Sequence, residues 1–332
     1  MTLRSKILGT GRFVPENIVK NEDLAKRFNT TDEWIQQRTG VKERRYITQG
    51  QTPSELAEKA SRAALDAAGL KPEDIDFILV ATQTPEHQFP GTSCYLQARL
   101  GIKGCPALDV ACQCTGFLHA LAIADAYARV GLYKRILVVG AEVHSTGLQF
   151  TDEGRHVTVL FGDGAGAVVV GPSDDPERGI LSIDLHADGR FADDLTVPAP
   201  GSGYFPRIDA DMIAKGMHYP KMNGKVVFKE AVTGLISTIK TTLEQNKITV
   251  ADIGLFIPHQ ANMRINEMVG QSLGFGEGKV DHSIQRYGNC AAASVPIAFD
   301  ESLRGGKIKS GDLVLFATFA AGFTWGSALL RM

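Results

Sequence analysis

The sequence lacks a hydrophobic run long enough to cross a membrane. A spanning helix needs about 20 consecutive apolar residues, whereas the apolar runs here have the length of strands, as at residues 76–81. Residues 1–11 contain neither the apolar core nor the cleavage signature of a secretion signal. A membrane role is therefore excluded, and a cytoplasmic location is expected.

The chain also has almost no net charge. Its 35 Lys and Arg residues and 37 Asp and Glu residues give a formal charge of −2, which argues against nucleic acid or an anionic membrane as the main partner. With 44% apolar and 22% charged residues among 332, the composition is that of a globular protein with a large core or two fused units.

Cysteine is scarce. An odd count of five in a chain of this length argues against a disulfide framework. Cys112 and Cys114 are separated by one residue, but no second pair at zinc-site spacing exists. The one-residue spacer also disfavours a redox pair, so we predict neither a metal site nor a redox pair at Cys112 and Cys114.

Strands and helices alternate along the chain. Residues 54–68 form a predicted helix that stops at Gly69. Continuous apolar runs of strand length lie at residues 76–81, 135–139 and 167–170. Such runs between helices predict an α/β fold with a buried, mostly parallel sheet.

The second half of the chain repeats the order of elements in the first. Residues 72–80 resemble residues 250–258, and the turn around Cys114 resembles residues 287–296. The two segments at 135–140 and 162–169 resemble the two segments at 313–317 and 322–329. This repetition predicts an internal duplication around a pseudo-twofold axis. We expect an N-terminal half at 1–172 and a C-terminal half at 173–332, with the boundary near residues 172–178.

Residues 198–223 fit neither copy. The segment is rich in Pro, Gly and Tyr and is interpreted as an insertion or cap. Long insertions in compact domains are often lids or binding loops, and a solvated surface loop is an equal alternative.

Cys114 is the strongest candidate for chemistry. It ends a short apolar run and precedes a predicted helix, and a helix start stabilises the thiolate that acts as the nucleophile. His259 follows a predicted strand, and Asn289 lies at a turn before a helix. Because ligands collect at the carboxyl ends of strands in α/β sheets, the repeat is expected to bring all three together.

These motifs together resemble those of β-ketoacyl-acyl-carrier-protein synthase III, a condensing enzyme of the thiolase superfamily. Each motif alone is weak, but their common order is specific. Besides the segments of Cys114, His259 and Asn289, the resemblance rests on residues 7–11, 32–35, 38–40, 101–107, 161–167 and 322–329.

The resemblance implies a layered αβαβα fold and a decarboxylative condensation. Cys114 would take the acyl group of an acyl-CoA primer, which is a substrate and not a cofactor, and malonyl-acyl-carrier protein would then be condensed with it to start fatty-acid synthesis. His259 and Asn289 would stabilise the developing oxyanion, and the backbone N–H groups of Cys114 and Ala321 would form a second oxyanion hole.

The resemblance also implies where coenzyme A binds. Trp34 and Arg155 match positions that sandwich the adenine, and Arg38 matches one near the phosphates. Ala261 and Asn262 match positions along the pantetheine arm.

Further matches imply an acyl pocket, a dimer and a docking surface. Phe161 would line the acyl pocket, and Phe89 would reach across a homodimer to close the pocket of the neighbouring subunit. Lys229 and Arg264 match positions that dock the acidic carrier protein, and Lys221 and Lys225 could either extend this basic rim or form a solvated face.

The sequence departs from the family pattern at the C-terminal loop. Ala320 and Ala321 stand where the family usually has glycines, and alanine resists a positive φ. Cys112 stands where the family usually has alanine and is interpreted as a packing residue. Lys225 replaces a common asparagine on the coenzyme A path, and the 198–223 segment is longer than usual.

Two alternatives stay open at this point. The chain could be a specialised relative that uses an unusual acyl or aroyl starter, or another acceptor such as malonyl-CoA. A carrier-protein-binding scaffold without catalysis is disfavoured, because a scaffold needs none of Cys114, His259 and Asn289.

Overall fold

The computed structural model describes residues 4–332, so residues 1–3 of the expected N-terminal half lie outside the described residues. The strands are β1 (Arg4–Phe13), β2 (Ile18–Lys20), β3 (Glu43–Arg45), β4 (Phe77–Ala81), β5 (Ala107–Val110), β6 (Ile136–Glu142), β7 (Gly164–Ser173), β8 (Gly179–Ala187), β9 (Leu195–Thr196), β10 (Lys221–Met222), β11 (Ile253–Pro258), β12 (Leu313–Ala320) and β13 (Thr324–Arg331). The helices are α1 (Asn21–Ala25), α2 (Asp32–Thr39), α3 (Pro53–Ala68), α4 (Thr92–Leu100), α5 (Gly116–Arg129), α6 (Arg155–Thr158), α7 (Ala210–Ala214), α8 (Gly224–Asn246), α9 (Met263–Leu273), α10 (Ile284–Tyr287) and α11 (Ser294–Arg304).

Two mixed sheets form the centre of the fold. The first has the order β1-β7-β6-β4-β5, and the second has the order β8-β13-β12-β11. In the first, β4 is parallel to β5 and β6, whereas β7 is antiparallel to β6 and β1. In the second, β11 and β12 are parallel, and β13 is antiparallel to β12 and β8.

The prediction of a mostly parallel sheet is therefore wrong. Strands such as β6 and β7 are buried over nearly their whole length, and burial on both faces produces a continuous apolar run whatever the strand direction. The direction is set by the connections, since β12 returns as β13 after only three residues, which a parallel crossover cannot do.

The two sheets are copies of one plan. Phe77 pairs with Ile136 in the first sheet, and Leu255 pairs with Val314 in the second. In each pair, the same number of residues separates the two partners along the chain. The second sheet therefore repeats the register of the first, as well as the order and directions of its strands. The predicted duplication is confirmed in the fold.

Helices fill three layers around these sheets. Helix α3 covers the outer face of the first sheet, α8 covers the outer face of the second, and α5 and α11 lie between the sheets. A Cβ atom at Gly9 or Gly11 of β1 would collide with the backbone of α3, so these glycines permit its close approach. The result is the layered αβαβα architecture.

Helix α3 shows how the local sequence sets these elements. Thr52 accepts a hydrogen bond from the backbone of Glu55 at the start of the helix, and Gly69 ends it with a φ of +65°. Leu56, Ala60 and Ala64, spaced by four residues, lie on its fully buried face. The predicted helix and its stop at Gly69 are confirmed.

The segment at 198–223 is closed at its base by a short hairpin. Strands β9 and β10 pair antiparallel across it, and α7 lies between them. Arg207 Nη1 donates to Gln88 Oε1 at 2.6 Å, which ties the segment to the loop that carries Phe89. Phe205 at its tip is fully exposed.

None of the helices within residues 4–332 has both the length and the apolar character needed to cross a membrane.

Candidate active site

A cavity of about 1090 Å³ opens between the two halves. Cys114 from the first half and His259 and Asn289 from the second all contribute to its wall. The sequence argument from strand ends thus leads to residues that share one cavity. Of the other candidates, Phe161, Ala261, Asn262 and Ala321 also line it.

Cys114 lies in a tight turn between β5 and α5. Gln113 has a φ of +41°, and residues 113–115 form one turn of 3₁₀ helix that runs directly into α5. The side chain of Cys114 packs against Ala291 and Ala320, both from the second half. The turn is fixed by Thr115 and Thr324, whose hydroxyl oxygens are 2.8 Å apart.

Burial and the nearby Glu142 raise the pKa of the Cys114 thiol well above its ordinary value. The start of α5 opposes this, but a helix terminus contributes at most about 2 kcal/mol, whereas full burial shifts a pKa by about 3–5 units. The expectation that the helix start would hold a thiolate is therefore corrected. The resting group is a thiol, and its proton must leave when it attacks.

His259 is a buried histidine in the wall of the same cavity. It directly follows β11, and its backbone N–H donates to Ala317 O at 2.8 Å. Its side chain is 4% exposed, and this burial lowers its pKa to about 3. A neutral imidazole has a nitrogen lone pair that accepts a proton and a second nitrogen that donates.

Asn289 is held in a fixed orientation. Its backbone N–H donates to Leu160 O at 2.8 Å, and its side-chain Oδ1 accepts from the backbone of Ala291 at 2.8 Å. Because the oxygen is engaged, the side-chain NH₂ group is the end available to the cavity. An amide fixed in this way can donate to an oxyanion but cannot act as a base.

The loop after β12 keeps a glycine where the backbone needs one. Gly322 has a φ of +133°, a value that L-residues avoid. Ala320 and Ala321 are not among the described residues with positive φ, so the alanines expected to alter the loop do not occupy its strained position. Ala321 remains in the cavity wall.

Three of the predicted coenzyme A residues form one cluster. The guanidinium carbons of Arg38 and Arg155 lie 4.8 and 5.1 Å from the centroid of the Trp34 ring, within cation–π distance. Asn262 Nδ2 donates to Arg38 O at 3.0 Å, which joins this cluster to the cavity. An aromatic face with two cations suits a ligand that carries a flat base and phosphates.

The residues predicted to dock the carrier protein lie at the protein surface, beside the opening of the cavity. Lys229 and Arg264 are both exposed, although Lys229 Nζ also pairs with Glu230 at 3.2 Å. The guanidinium carbon of Arg264 lies 5.8 Å from the Phe228 ring centroid, and Phe228 lines the cavity. Lys221 and Lys225 are exposed as well.

Phe89 is 80% exposed and does not line the cavity of its own chain.

Cys112 makes polar contacts in addition to the expected packing contacts. Its Sγ lies 3.7 Å from His119 Nε2 and 3.3 Å from Thr115 Oγ1. Although burial opposes it, these contacts lower the pKa of the Cys112 thiol overall. Within residues 4–332, no cluster of three His, Cys, Asp or Glu side chains is arranged to hold a metal ion.

Sequence reasoning missed Glu142 and His144. Glu142 is fully buried, accepts from Thr84 Oγ1 at 2.6 Å, and has a pKa raised to about 8, mainly by burial. His144 lines the cavity. The predicted strand ended at Val139, whereas β6 continues to Glu142, so both residues sit at a strand end where functional groups collect.

The layered duplicated fold, with Cys114, His259 and Asn289 in one cavity, defines a condensing enzyme of the thiolase-like class. Two family models match the chain, one described as 3-oxoacyl-[acyl-carrier-protein] synthase III at residues 108–189 and the other as its C-terminal part at residues 243–332. The chain belongs to the 3-oxoacyl-[acyl-carrier-protein] synthase III family, which is also called the β-ketoacyl synthase III family.

Known proteins of this family resemble the chain over its whole length. It is 48% identical to a β-ketoacyl-[acyl-carrier-protein] synthase III of Thioalkalivibrio sulfidiphilus and 46% identical to one of Vibrio parahaemolyticus, in each case over 98% of this chain and 99% of the relative. The crystal structure of 3-oxoacyl-[acyl-carrier-protein] synthase III from Aquifex aeolicus superposes with a TM-score of 0.90 at 41% identity, covering 99% of this chain and 100% of that one.

Proposed function

We propose that the protein condenses an acyl-CoA primer with malonyl-acyl-carrier protein, releasing CO₂ and forming a β-ketoacyl-carrier protein that starts fatty-acid synthesis. The observation that carries this proposal is the set of Cys114, His259 and Asn289 in a single cavity. The names of the relatives support the same activity.

The first step is acyl transfer to Cys114. As Sγ attacks the thioester carbonyl of the acyl-CoA, the thiol proton passes by way of His259 to the sulfur of coenzyme A. The bond between that sulfur and the acyl carbon breaks, and coenzyme A leaves as its thiol. The backbone N–H groups of Cys114 and Ala321 would stabilise the tetrahedral oxyanion, with each such donor contributing about 3–4 kcal/mol. Because its pKa is lowered, His259 is neutral, so one ring nitrogen has the lone pair that this transfer uses.

The second step is decarboxylation and carbon–carbon bond formation. Loss of CO₂ from the malonyl group leaves its electron pair on the α-carbon, with negative charge on the thioester oxygen. His259 and Asn289 would donate hydrogen bonds to that oxygen. The carbanion then attacks the acyl carbon on Cys114, and the thiolate leaves and regains a proton.

Substrate binding follows from the groups at the cavity opening. The Trp34, Arg38 and Arg155 cluster would hold the adenine and phosphates of coenzyme A, with Ala261 and Asn262 along its pantetheine arm. The exposed Lys229 and Arg264 would attract the acidic carrier protein. The reaction balances without a cofactor, and we propose that none is required.

A homodimer is part of the proposal. Strand β5 is the last strand of the first sheet, so one of its edges is unpaired among the described residues 4–332. Exposed edge strands are sites for pairing with another chain, and Leu108 on β5 and Phe89 are 43% and 80% exposed. Pairing of β5 with its copy would cover Leu108 and bring Phe89 to the acyl pocket of the neighbour, beside Phe161. We propose a cytoplasmic location for this dimer.

A ladder of acyl-CoA primers tests the function. Cys114 acylation is followed by intact mass for short straight, branched, long and aryl acyl groups, and malonyl-acyl-carrier protein is then added. Short straight or branched primers should label the enzyme and be condensed. Labelling by aryl or long chains alone would overturn the fatty-acid assignment in favour of a specialised starter.

A further inference from the structure

His144 is a histidine in the wall of the catalytic cavity to which the proposed reaction gives no role. Its backbone is fixed just beyond β6, since its N–H donates to Asp163 Oδ1 at 2.7 Å. The centroid of its ring lies 4.4 Å from that of Phe161, another wall residue. The imidazole is therefore held in place beside the proposed acyl pocket.

The ring is short of hydrogen-bond partners. The side chain is 6% exposed, and Nε2 is buried with no partner among residues 4–332. An unsatisfied buried polar atom costs about 1–3 kcal/mol. Burial and the nearby His259 lower the pKa of His144 to about 3, so the ring is neutral, with one donor nitrogen and one acceptor nitrogen.

The surroundings make this ring stand out. Phe161 is in direct contact with the ring, and the same cavity is lined by further apolar side chains: Val143, Leu148, Val157 and Leu160. A pocket for a plain hydrocarbon chain is best lined by such residues alone, because a chain without polar atoms leaves a polar wall group unpaired. In the proposed reaction, the acyl group on Cys114 enters the cavity, and Phe161 beside this ring is the residue expected to line its pocket.

We infer that His144 selects an acyl primer whose chain carries an oxygen substituent, a hydroxyl or a keto group, beyond the thioester. The inference rests on the proposed function, because it assigns the primer of that reaction. A neutral imidazole can donate to a keto oxygen and can both donate to and accept from a hydroxyl. Binding sites built to hydrogen-bond a substrate oxygen discriminate strongly against analogues that lack it.

The test compares primers that differ only in the oxygen. Butanoyl-, hexanoyl- and octanoyl-CoA and their 3-hydroxy and 3-oxo counterparts are presented to the full-length enzyme, and the rate of Cys114 acylation is read by intact mass. The wild type should prefer an oxygenated primer by about tenfold or more at its best chain length. His144→Leu should reduce that preference to near unity, and His144→Gln, which keeps a donor and an acceptor, should retain part of it.

His87→Leu is the matched control, since it makes the same change at an exposed histidine of the cavity wall; it should keep the wild-type preference. Equal acylation by plain and oxygenated primers in the wild type overturns the inference but leaves the proposed function intact. A preference that survives in His144→Leu, or that is lost equally in His87→Leu, overturns the assignment to His144. Failure of every acyl-CoA to label the wild type overturns the proposed function, and the inference with it.

Discussion

The turn at residues 112–116 and the turn at residues 290–294 occupy the same place in the two halves. Gln113 has a φ of +41° and Ala291 has a φ of +38°. Each of these residues opens one turn of 3₁₀ helix that runs into a helix of the middle layer, α5 or α11. The duplication has therefore preserved even an unfavourable backbone conformation.

The two turns differ in the residue that follows the strained position. The first carries Cys114, which packs against Ala320 at the end of β12. The second carries Ala292, whose backbone N–H points to Glu142 at the end of β6, at 3.4 Å. Each turn therefore faces the end of a strand from the other half. The thiol of Cys114 lies opposite an alanine, whereas Ala292 lies opposite the carboxyl group of Glu142.

The residues proposed to act together with Cys114 belong to the second half, and their counterparts in the first half are alanines. His259 follows β11 in the second half, and the strand register places Ala81 of β4 at the equivalent position. Asn289 precedes the second turn, where the first has Ala111. In the proposed mechanism, one half supplies the nucleophile and the other supplies the proton acceptor and the hydrogen-bond donors, so the proposed site depends on the divergence of the two copies.

After loss of the nucleophile itself, the largest expected effects come from the polar residues of the second half. His259→Ala and Asn289→Asp should each slow condensation by about 10²–10³-fold, because each removes an oxyanion donor. Asn289→Asp should still allow Cys114 to be acylated, as measured by intact mass alongside the condensation rate. Wild-type condensation by Asn289→Asp would show that the second turn does not contribute to catalysis.

Glu142, the counterpart of Ala320, should make stability depend on pH. Its pKa is raised from about 4.3 in the unfolded chain to about 8 in the folded protein. Its stabilising contribution is then complete below about pH 4 and is lost as the pH rises toward 8. Glu142→Gln should remove this contribution, so the difference in unfolding free energy between variant and wild type should change by about 2–3 kcal/mol between pH 5.5 and 7.5.

Urea denaturation at both pH values measures this difference. Glu16→Gln, at an exposed position, is the matched control for the loss of a carboxyl group. A difference for Glu142→Gln that does not vary with pH would contradict the raised pKa.

A thiol at the position in the second turn that corresponds to Cys114 should be inert, as the buried Cys290 of the same turn is expected to be. Ala292→Cys places a sulfur at a site that is 1% exposed, and overpacking of this kind costs about 1–3 kcal/mol. In a Cys114→Ala background it should restore neither acylation nor condensation, because its neighbour is Glu142 and not the cavity. Recovered acylation, detected by intact mass, would show that the two turns are chemically interchangeable.

The smallest effect concerns the ends of the long helices. Helix α3 ends at Gly69 with a φ of +65°, whereas α8 ends at Lys247 with a φ of +54°. Lys247→Gly should raise the free energy of unfolding by about 0.5–1 kcal/mol, because glycine has no Cβ penalty there. Gly69→Lys should lower it by a similar amount, and thermal or urea unfolding measures both. Destabilisation by Lys247→Gly would show that the lysine side chain contributes more than its backbone costs.

Much of the fold could be predicted from local sequence patterns. The apolar runs of β4 and β6 and the helix that ends at Gly69 could be predicted, because each depends on residues near in sequence. Strand direction could not be predicted, since burial on both faces hides it. The repeat of whole segments revealed the duplication.

The candidate site also contains residues that could be predicted from the sequence and residues that could not. Cys114, His259 and Asn289 stand out by their positions at strand ends and turns. Glu142 and His144 were missed because β6 runs three residues further than its most apolar stretch. The raised pKa of Cys114 depends on how deeply the second half buries it, which no local pattern reports.

The central claim is that only the first of the two turns carries a nucleophile. Incubation of the wild-type protein with an acyl-CoA, followed by intact mass and peptide mapping, tests it most directly. The account predicts one acyl group per chain, located on Cys114, that is lost when malonyl-acyl-carrier protein is added, and no condensation by Cys114→Ser despite unchanged folding. An acyl group on Cys112 or Cys290, or condensation that persists in Cys114→Ser, would contradict it.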